Sequence, residues 1–188
     1  MAILYCLIQR DLKMVIAYRR VGHMGLVLAG LAANNELSVT GSLLIMMGHG
    51  FARSGLFYGA YLIQEIHGSR SLSLISGMVK SNGVLCFLFI ALLLCNISFP
   101  PTINFFGEFF SSLGLTSLFP CAISILILLV FIGGIFNAYL FTNVGKGLRK
   151  TKSVGQCDSK SLTALFGHLL PQLLIPLAFM DRCSFTQS

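Results

Sequence analysis

Charged side chains are scarce in this sequence. Only 10% of its 188 residues are charged, six residues are acidic, and 55% are hydrophobic. The mean hydropathy is +0.84. A soluble domain of this size needs a charged shell around its core, and this composition is too poor in charge to build one. The net charge of +7 does not indicate nucleic-acid binding either, because basic and aromatic residues are not interleaved along the chain.

Motifs that bind redox cofactors, metals or nucleotides are also missing from the sequence. The six cysteines show no CxxC or other metal-ligand spacing, and no cysteine quartet is present for an iron–sulfur cluster. No GxGxxG or GxxxxGKS/T fingerprint occurs. The sequence gives no basis for a disulfide or a metal site, and we expect no redox chemistry and no bound cofactor in this chain.

Long apolar runs, in contrast, are abundant. A helix needs about 20 mostly apolar residues to cross the hydrocarbon core of a bilayer, so this length allows about six crossings. The sequence therefore predicts an all-α fold, a polytopic transmembrane helix bundle with about six membrane segments. These segments are approximately 14–33, 37–64, 83–99, 102–118, 119–143 and 161–180.

The pattern divides the chain into four regions. Residues 1–13 are interpreted as the tail of a truncated helix followed by a loop, and residues 14–143 contain five transmembrane segments. Residues 144–160 form a basic polar linker with five of the thirteen basic residues. Residues 161–188 contain the last transmembrane helix and a C-terminal tail.

Prolines interrupt the predicted segments at two places. Pro100 and Pro101 end the third segment, because proline lacks the amide hydrogen and restricts the residue before it. The fourth segment is expected to be short and irregular, and both a full crossing and a re-entrant segment stay open for it. Pro171 and Pro176 are expected to break the sixth segment.

Four ionisable residues lie in or beside these segments. His23 and His49 are near the middle of the first and second segments, Glu108 is inside the fourth, and Lys13 is at the entrance to the first. A charged residue at the centre of a membrane helix costs about 2.5–3.5 kcal/mol on insertion scales, so its presence indicates function. Antiparallel neighbouring helices would place both imidazoles at a similar depth. Two histidines and a carboxylate there are suited to proton transfer, because imidazole titrates near neutral pH.

Other interpretations apply to some of these polar residues. A histidine inside the membrane also serves as a hydrogen-bond partner between helices. His168 is interpreted as a packing or interfacial residue. Arg53 lies one turn beyond His49 on the same face of its helix, and no acidic residue in the sequence obviously pairs with it.

Five stretches of the chain resemble the motifs of one known family. The first is similar to DLKxxIAYSSVxHMxLV and consists of Asp11-Leu12-Lys13, Ile16-Ala17-Tyr18 and His23-Met24-Gly25-Leu26-Val27. The second is similar to IAHGxxSSxLF and consists of Met47-Gly48-His49-Gly50 and Ser54-Gly55-Leu56-Phe57. The others are Glu65 to Arg70, similar to ERxHSR, Pro100 to Glu108, similar to PPTINLLGE, and His168 to Pro171, similar to HLSP. In this order they resemble the chain 4 family of mitochondrial NADH:ubiquinone oxidoreductase (complex I), one of the antiporter-like subunits.

The resemblance implies a fold and a function. It implies a fourteen-helix bundle of two inverted repeats, with this chain matching helices 9–14, and protons that move along a hydrated polar axis. By motif match His23 and His49 would belong to that axis, Glu108 would be its terminal carboxylate on a broken helix, and Lys13 would match a family lysine. The location implied is the mitochondrial inner membrane, multi-pass. The partners implied are the lipid bilayer and other membrane-arm subunits, while NADH, flavin, iron–sulfur clusters and ubiquinone belong to other subunits.

The sequence also departs from the family pattern. Arg19, Arg20 and Arg53 stand where the family usually has serine, tryptophan is absent, and the chain would start at the end of the family's eighth helix. One hypothesis explains all three: a mitochondrial-type reading frame translated in the wrong genetic code, in which serine codons become arginine and tryptophan codons become stops. A split gene is the alternative. For function, the alternatives are a membrane subunit of a multisubunit cation/proton antiporter and a non-functional truncated reading frame.

Overall fold

Helices form all the regular structure in the described part of the chain. A computed structural model describes residues 11–68, 82–145 and 158–185. The helices are α1 (Leu12–Ala32), α2 (Glu36–His67), α3 (Gly83–Asn96), α4 (Ile103–Leu118), α5 (Ala122–Gly145) and α6 (Ser159–Phe185). The prediction of an all-α fold is confirmed for these residues. The tail at residues 1–10 and most of the 144–160 linker lie outside the described residues.

Helix α2 is the centre of the arrangement. It packs against α1, α3, α4 and α6, whereas α5 packs against α3 and α4. The main apolar core surrounds the second half of α2, and Phe89 of α3 and Leu56 and Ile63 of α2 are fully buried there. A smaller apolar cluster of Leu26, Val27, Ile45 and Leu115 lies among α1, α2 and α4. The polar residues discussed below lie beside these two clusters.

Two short connections redirect the chain around α2. The turn from α1 to α2 contains Asn34 with φ 50°, a left-handed conformation that asparagine tolerates better than most residues. Helix α2 ends at Gly68, whose φ is 66° and whose amide donates to the carbonyl oxygen of Gln64 at 2.8 Å. Glycine adopts this conformation without a steric penalty, which explains its place at the helix end.

The interruption between α3 and α4 differs from the prediction. The irregular backbone lies at 97–102, ahead of α4, and α4 itself is an uninterrupted helix of 16 residues. The expectation of an irregular fourth segment was therefore wrong. Pro100 and Pro101 precede the first helical turn, where the amide hydrogens have no partner within the helix anyway. Asn104 spans the interruption, because its Nδ2 donates to the carbonyl oxygen of Cys95 at 2.9 Å.

Helix α6 also differs from the prediction. Pro171 and Pro176 were expected to break it, but both lie inside one helix that runs from Ser159 to Phe185. A proline removes one intrahelical hydrogen bond, and contacts with a neighbouring helix can compensate for that loss. Next to Pro171, buried Gln172 also attaches α6 to α2, since its Nε2 donates to the carbonyl oxygen of Gly48.

The outer surface of the described bundle is rich in apolar side chains. Phe87 is 70% exposed, Leu28 68% and Ile127 66%. By length and hydropathy, one described helical segment, Ser159–Ala178, is sufficient to cross a bilayer, and Gly83–Asn96 and Leu126–Thr142 are shorter apolar helices. An exposed apolar surface of this kind is unfavourable in water and favourable in contact with lipid or a partner protein.

Helices α2 and α4 approach each other along a row of small residues. A Cβ atom added to Gly41 would lie 2.3 Å from the backbone nitrogen of Ser111, and one added to Gly107 would lie 2.8 Å from the backbone nitrogen of Ile45. Both distances are shorter than any van der Waals contact. We call this row the small-residue seam, and its members are Ser38, Gly41, Gly48, Gly107, Ser111 and Gly114.

Candidate functional site

Helices α1 and α4 bring an imidazole and a carboxylate together. Nδ1 of His23 lies 2.9 Å from Oε1 of Glu108, and the two side chains are 7% and 15% exposed. The small-residue seam makes this contact possible, because it draws α4 close to α2, against which α1 also packs. The two atoms are at ion-pair distance, without a hydrogen bond between them in this arrangement.

A second imidazole extends the pair. The ring centroids of His23 and His49 are 4.8 Å apart with an interplanar angle of 60°. His49 is 1% exposed and comes from α2, so three different helices contribute Glu108, His23 and His49. The two imidazoles thus lie side by side, while their similar depth in a bilayer stays a prediction. We call these three residues the polar triad.

Arg53 continues the polar row along α2. Its Nη2 lies 3.4 Å from Nε2 of His49, and the residue is 6% exposed. The sequence placed Arg53 one turn beyond His49 on the same helix face, and the structure agrees. The side chains of Arg19 and Arg20, the other two arginines at usual serine positions, lie outside the described residues.

Two buried amides beside the triad were missed by the sequence reasoning. Asn104 and Gln172 are both fully buried, and both lie next to Gly48, the residue before His49. A Cβ atom on Gly48 would lie 2.2 Å from Oδ1 of Asn104, so only glycine fits there while Asn104 keeps this position. An uncharged polar residue inside an apolar helix is the one sequence signal that could have identified them.

Glu108 also lines a cavity of about 570 Å³. Its walls come from α1, α4, α5 and the 97–102 connection, and they are mostly apolar. Glu108 is the one charged side chain among the described lining residues, while Ser98, Ser112 and Thr116 add hydroxyl groups. Glu108 therefore contacts buried His23 and also lines this cavity.

Lys13 is not part of the triad. Its Nζ donates to Oε1 of Gln64 at 3.0 Å and lies 5.9 Å from the centre of the Tyr61 ring. Ten residues of helix separate it from His23, a rise of about 15 Å. The structure therefore brings together three of the four candidate residues and leaves Lys13 at the start of α1, beside the end of α2.

His168 connects α6 to α2. Its Nδ1 lies 3.1 Å from Oγ of Ser54, which also donates to backbone carbonyl oxygens within α2. This contact and the hydrogen bond from Gln172 to Gly48 lie on either side of the turn that contains His49 and Arg53. The packing interpretation of His168 agrees with this position.

No cluster of metal ligands is found among the described residues. Cys86, Cys95 and Cys121 are free thiols, and the other three cysteines (Cys6, Cys157, Cys183) fall outside the part described in detail. What the triad can do chemically is transfer protons. Imidazole accepts a proton at one nitrogen and releases one from the other, and a carboxylate accepts or releases a proton at oxygen.

Comparison with known proteins gives related sequences over most of the chain. The family described as NADH:quinone oxidoreductase/Mrp antiporter, transmembrane, matches residues 1–146. NADH-ubiquinone oxidoreductase chain 4 of Mytilus edulis is 36% identical over 172 residues, which is 89% of this chain and 39% of the relative. The same protein of Locusta migratoria is 37% identical over 143 residues, 76% of this chain and 32% of the relative. The chain thus spans between about a third and two fifths of the length of these two relatives.

Solved structures share the fold. Respiratory complex I from Thermus thermophilus matches with a TM-score of 0.85 at 22% identity, over 93% of this chain and 37% of the matched chain. The Mrp complex from Dietzia sp. matches with a TM-score of 0.82 at 14% identity, over 95% of this chain and 42% of the matched chain. These identities are too low to carry more than the fold. On its sequence match, this chain belongs to the NADH:quinone oxidoreductase/Mrp antiporter transmembrane family.

Proposed function

We propose that this chain is part of a membrane-arm subunit of the proton-pumping NADH:ubiquinone oxidoreductase, and that it contains part of the proton path. The observation that supports this most directly is the polar triad. Three separate helices place Glu108 2.9 Å from His23, and His23 next to His49, in the interior of a bundle with an apolar exterior. Buried ionisable groups in contact across membrane helices are typical of proton relays.

The triad supports a stepwise transfer. A proton on His23 Nδ1 can move to Glu108 Oε1, which leaves His23 neutral and able to accept a proton from the side of His49. Glu108 then releases its proton towards the cavity of about 570 Å³. Transfer in the opposite direction uses the same contacts. Lys13 lies outside this series. We propose that it takes part in proton transfer where α1 begins and α2 ends.

The proposed setting is the mitochondrial inner membrane, with the helices as about six membrane segments. The exposed apolar side chains of α3 and α5 support contact with lipid or with neighbouring subunits. Electron transfer and its cofactors would belong to other subunits of the complex. The role of this chain would then be to move protons while quinone reduction takes place elsewhere.

Substitution of Glu108 by glutamine tests the proposal. Glutamine keeps the size of the side chain but cannot carry a proton to and from its oxygen. With the complex assembled in inner-membrane vesicles, we expect Glu108→Gln to lower NADH-driven proton pumping by about 100-fold, the range typical of a lost general acid–base group. The measurement is the rate of vesicle acidification, with assembly checked by native electrophoresis.

Glu65→Gln is the matched control, since Glu65 is an exposed glutamate on α2 outside the triad. It should leave pumping unchanged. Pumping at the wild-type rate in an assembled Glu108→Gln complex would contradict the relay. Exchange of Na⁺ for protons without NADH oxidation would instead favour the antiporter alternative.

A further inference from the structure

The cavity that Glu108 lines combines apolar walls with a small set of polar groups. Its volume of about 570 Å³ lies within the range of about 300–1,000 Å³ that is typical of small-molecule sites. Glu108 is the one charged residue among the described lining residues, so these residues include no cation that balances its carboxylate. The cavity therefore offers a ligand a large apolar surface and a single acidic group.

Two polar groups at this cavity can accept hydrogen bonds from a ligand. The hydroxyl of Ser98, a residue that is 8% exposed, has no hydrogen-bond partner among the described residues. Glu108 meets His23 through Oε1, and a carboxylate has a second oxygen with lone pairs of its own. A buried polar atom without a partner is unfavourable, so a ligand that supplies N–H donors would be stabilised here.

The lining discriminates between the classes of molecule that this volume could hold. A hydrocarbon chain alone would leave the carboxylate of Glu108 and the hydroxyl of Ser98 without donors. An anion would be repelled by the carboxylate, and a bare metal ion needs several oxygen ligands, which mostly apolar walls do not provide. A molecule with an apolar body and one ammonium group matches both parts of the lining.

Phenylalanine rings strengthen this preference. Phe105 and Phe109 line the cavity one helical turn apart on α4, before and after Glu108 in the sequence, and their ring centroids are 6.3 Å apart. The face of a phenyl ring attracts a cation, and the ring as a whole packs against apolar groups. Both parts of an amphiphilic amine therefore have partners among the residues around Glu108.

We propose that this cavity is a binding site for small amphiphilic amines, whose ammonium group pairs with Glu108 while the apolar part packs between α4 and α5. This binding does not require proton pumping. A bound amine would occupy the carboxylate from which the proposed function releases protons, so it would also inhibit pumping. That consequence alone rests on the proposed function.

Photolabelling of the full chain in phosphatidylcholine liposomes tests the site. The probes are a diazirine-bearing octylamine and the matching octanol, and peptide mass spectrometry measures the label on α4 and α5. We expect excess octylamine to displace the amine probe and excess octanol to leave it bound. Glu108→Gln should lower labelling by the amine probe about tenfold, the effect of losing one charge-assisted hydrogen bond, and leave labelling by the alcohol probe unchanged.

Glu65→Gln is the matched control, since Glu65 is exposed on α2 and is not among the lining residues. It should leave labelling by both probes unchanged. The wild-type competition decides the matter even if Glu108→Gln fails to fold. Equal displacement by octylamine and octanol would show a site for apolar chains only and would overturn the proposal. So would an absence of amine label from α4 and α5, or amine labelling that Glu108→Gln leaves unchanged.

The outcome is separable from that of the proposed function, because labelling and pumping are measured independently. If Glu108→Gln loses the amine label but pumps at the wild-type rate, the binding site stands and the relay fails. If it loses pumping but keeps the amine label, the relay stands and the binding site fails.

Discussion

The α2–α4 interface and helix α5 differ in how closely they pack and in which side chains they carry. Along the small-residue seam the two backbones nearly touch, and buried polar residues such as Asn104 and Ser111 lie among the glycines. Helix α5 has long apolar side chains, and most of those described on it are exposed, for example Ile127 and Phe131. Close backbone approach brings buried polar residues of different helices together, whereas α5 forms an apolar outer wall.

The comparison predicts where the bundle is least tolerant of change. Gly41→Ala should cost about 3 kcal/mol of stability, because the new Cβ would lie 2.3 Å from the backbone nitrogen of Ser111 and the helices would have to separate. The measurement is the free energy of unfolding of the chain in detergent, from a denaturant titration followed by circular dichroism.

Gly50→Ala is the control on the same helix. Nothing lies within 4 Å of a Cβ at Gly50, so the substitution should be neutral or stabilise the helix by up to about 1 kcal/mol. Equal effects of the two substitutions would show that the seam is not a close contact.

Removal of the amide that spans the α3–α4 interruption should have a smaller effect. Asn104→Ala deletes the hydrogen bond to the carbonyl oxygen of Cys95 and should cost about 1–2 kcal/mol in the same titration. Ser112→Ala on the same helix should cost less than about 0.5 kcal/mol, since its hydroxyl only bonds to the carbonyl of Phe109. If Asn104→Ala is as mild as Ser112→Ala, the amide does not stabilise the connection.

The outer wall should be the most tolerant region. Phe131→Ala on α5 removes a side chain that is 65% exposed, and we expect a change below about 0.5 kcal/mol in the free energy of unfolding. A loss as large as that for Gly41→Ala would mean that α5 packs as tightly as the seam, and the contrast between the two regions would disappear.

Much of the secondary structure could be predicted from the apolar runs. The described helices lie close to the predicted segments, because runs of apolar residues favour helices regardless of what packs against them. The errors involved proline. The sequence showed where amide hydrogens were missing, but not that Pro100 and Pro101 would precede a helix start or that α6 would continue through Pro171 and Pro176.

The sequence predicted which residues belong to the candidate site better than it predicted which of them are in contact. His23, His49 and Glu108 were identifiable because ionisable residues are costly in apolar segments. Asn104 and Gln172, the neighbours of Gly48, could not be identified in this way, because an asparagine or a glutamine in a helix gives little signal until a second helix packs against it. Lys13 was identified by the same criterion, an ionisable residue in or beside an apolar segment, yet its side chain bonds to Gln64 and not to the triad.

The sequence by itself determined the helical class, the family and the short inventory of residues able to exchange protons. It also placed His49 and Arg53 on the same face of one helix, because residues four apart are neighbours on a helix surface. Only the tertiary structure decided that His23 meets Glu108 and that Lys13 meets neither. Proton transfer needs groups within hydrogen-bond distance, and for residues on different helices that distance is determined by helix packing, here by the glycines between α2 and α4.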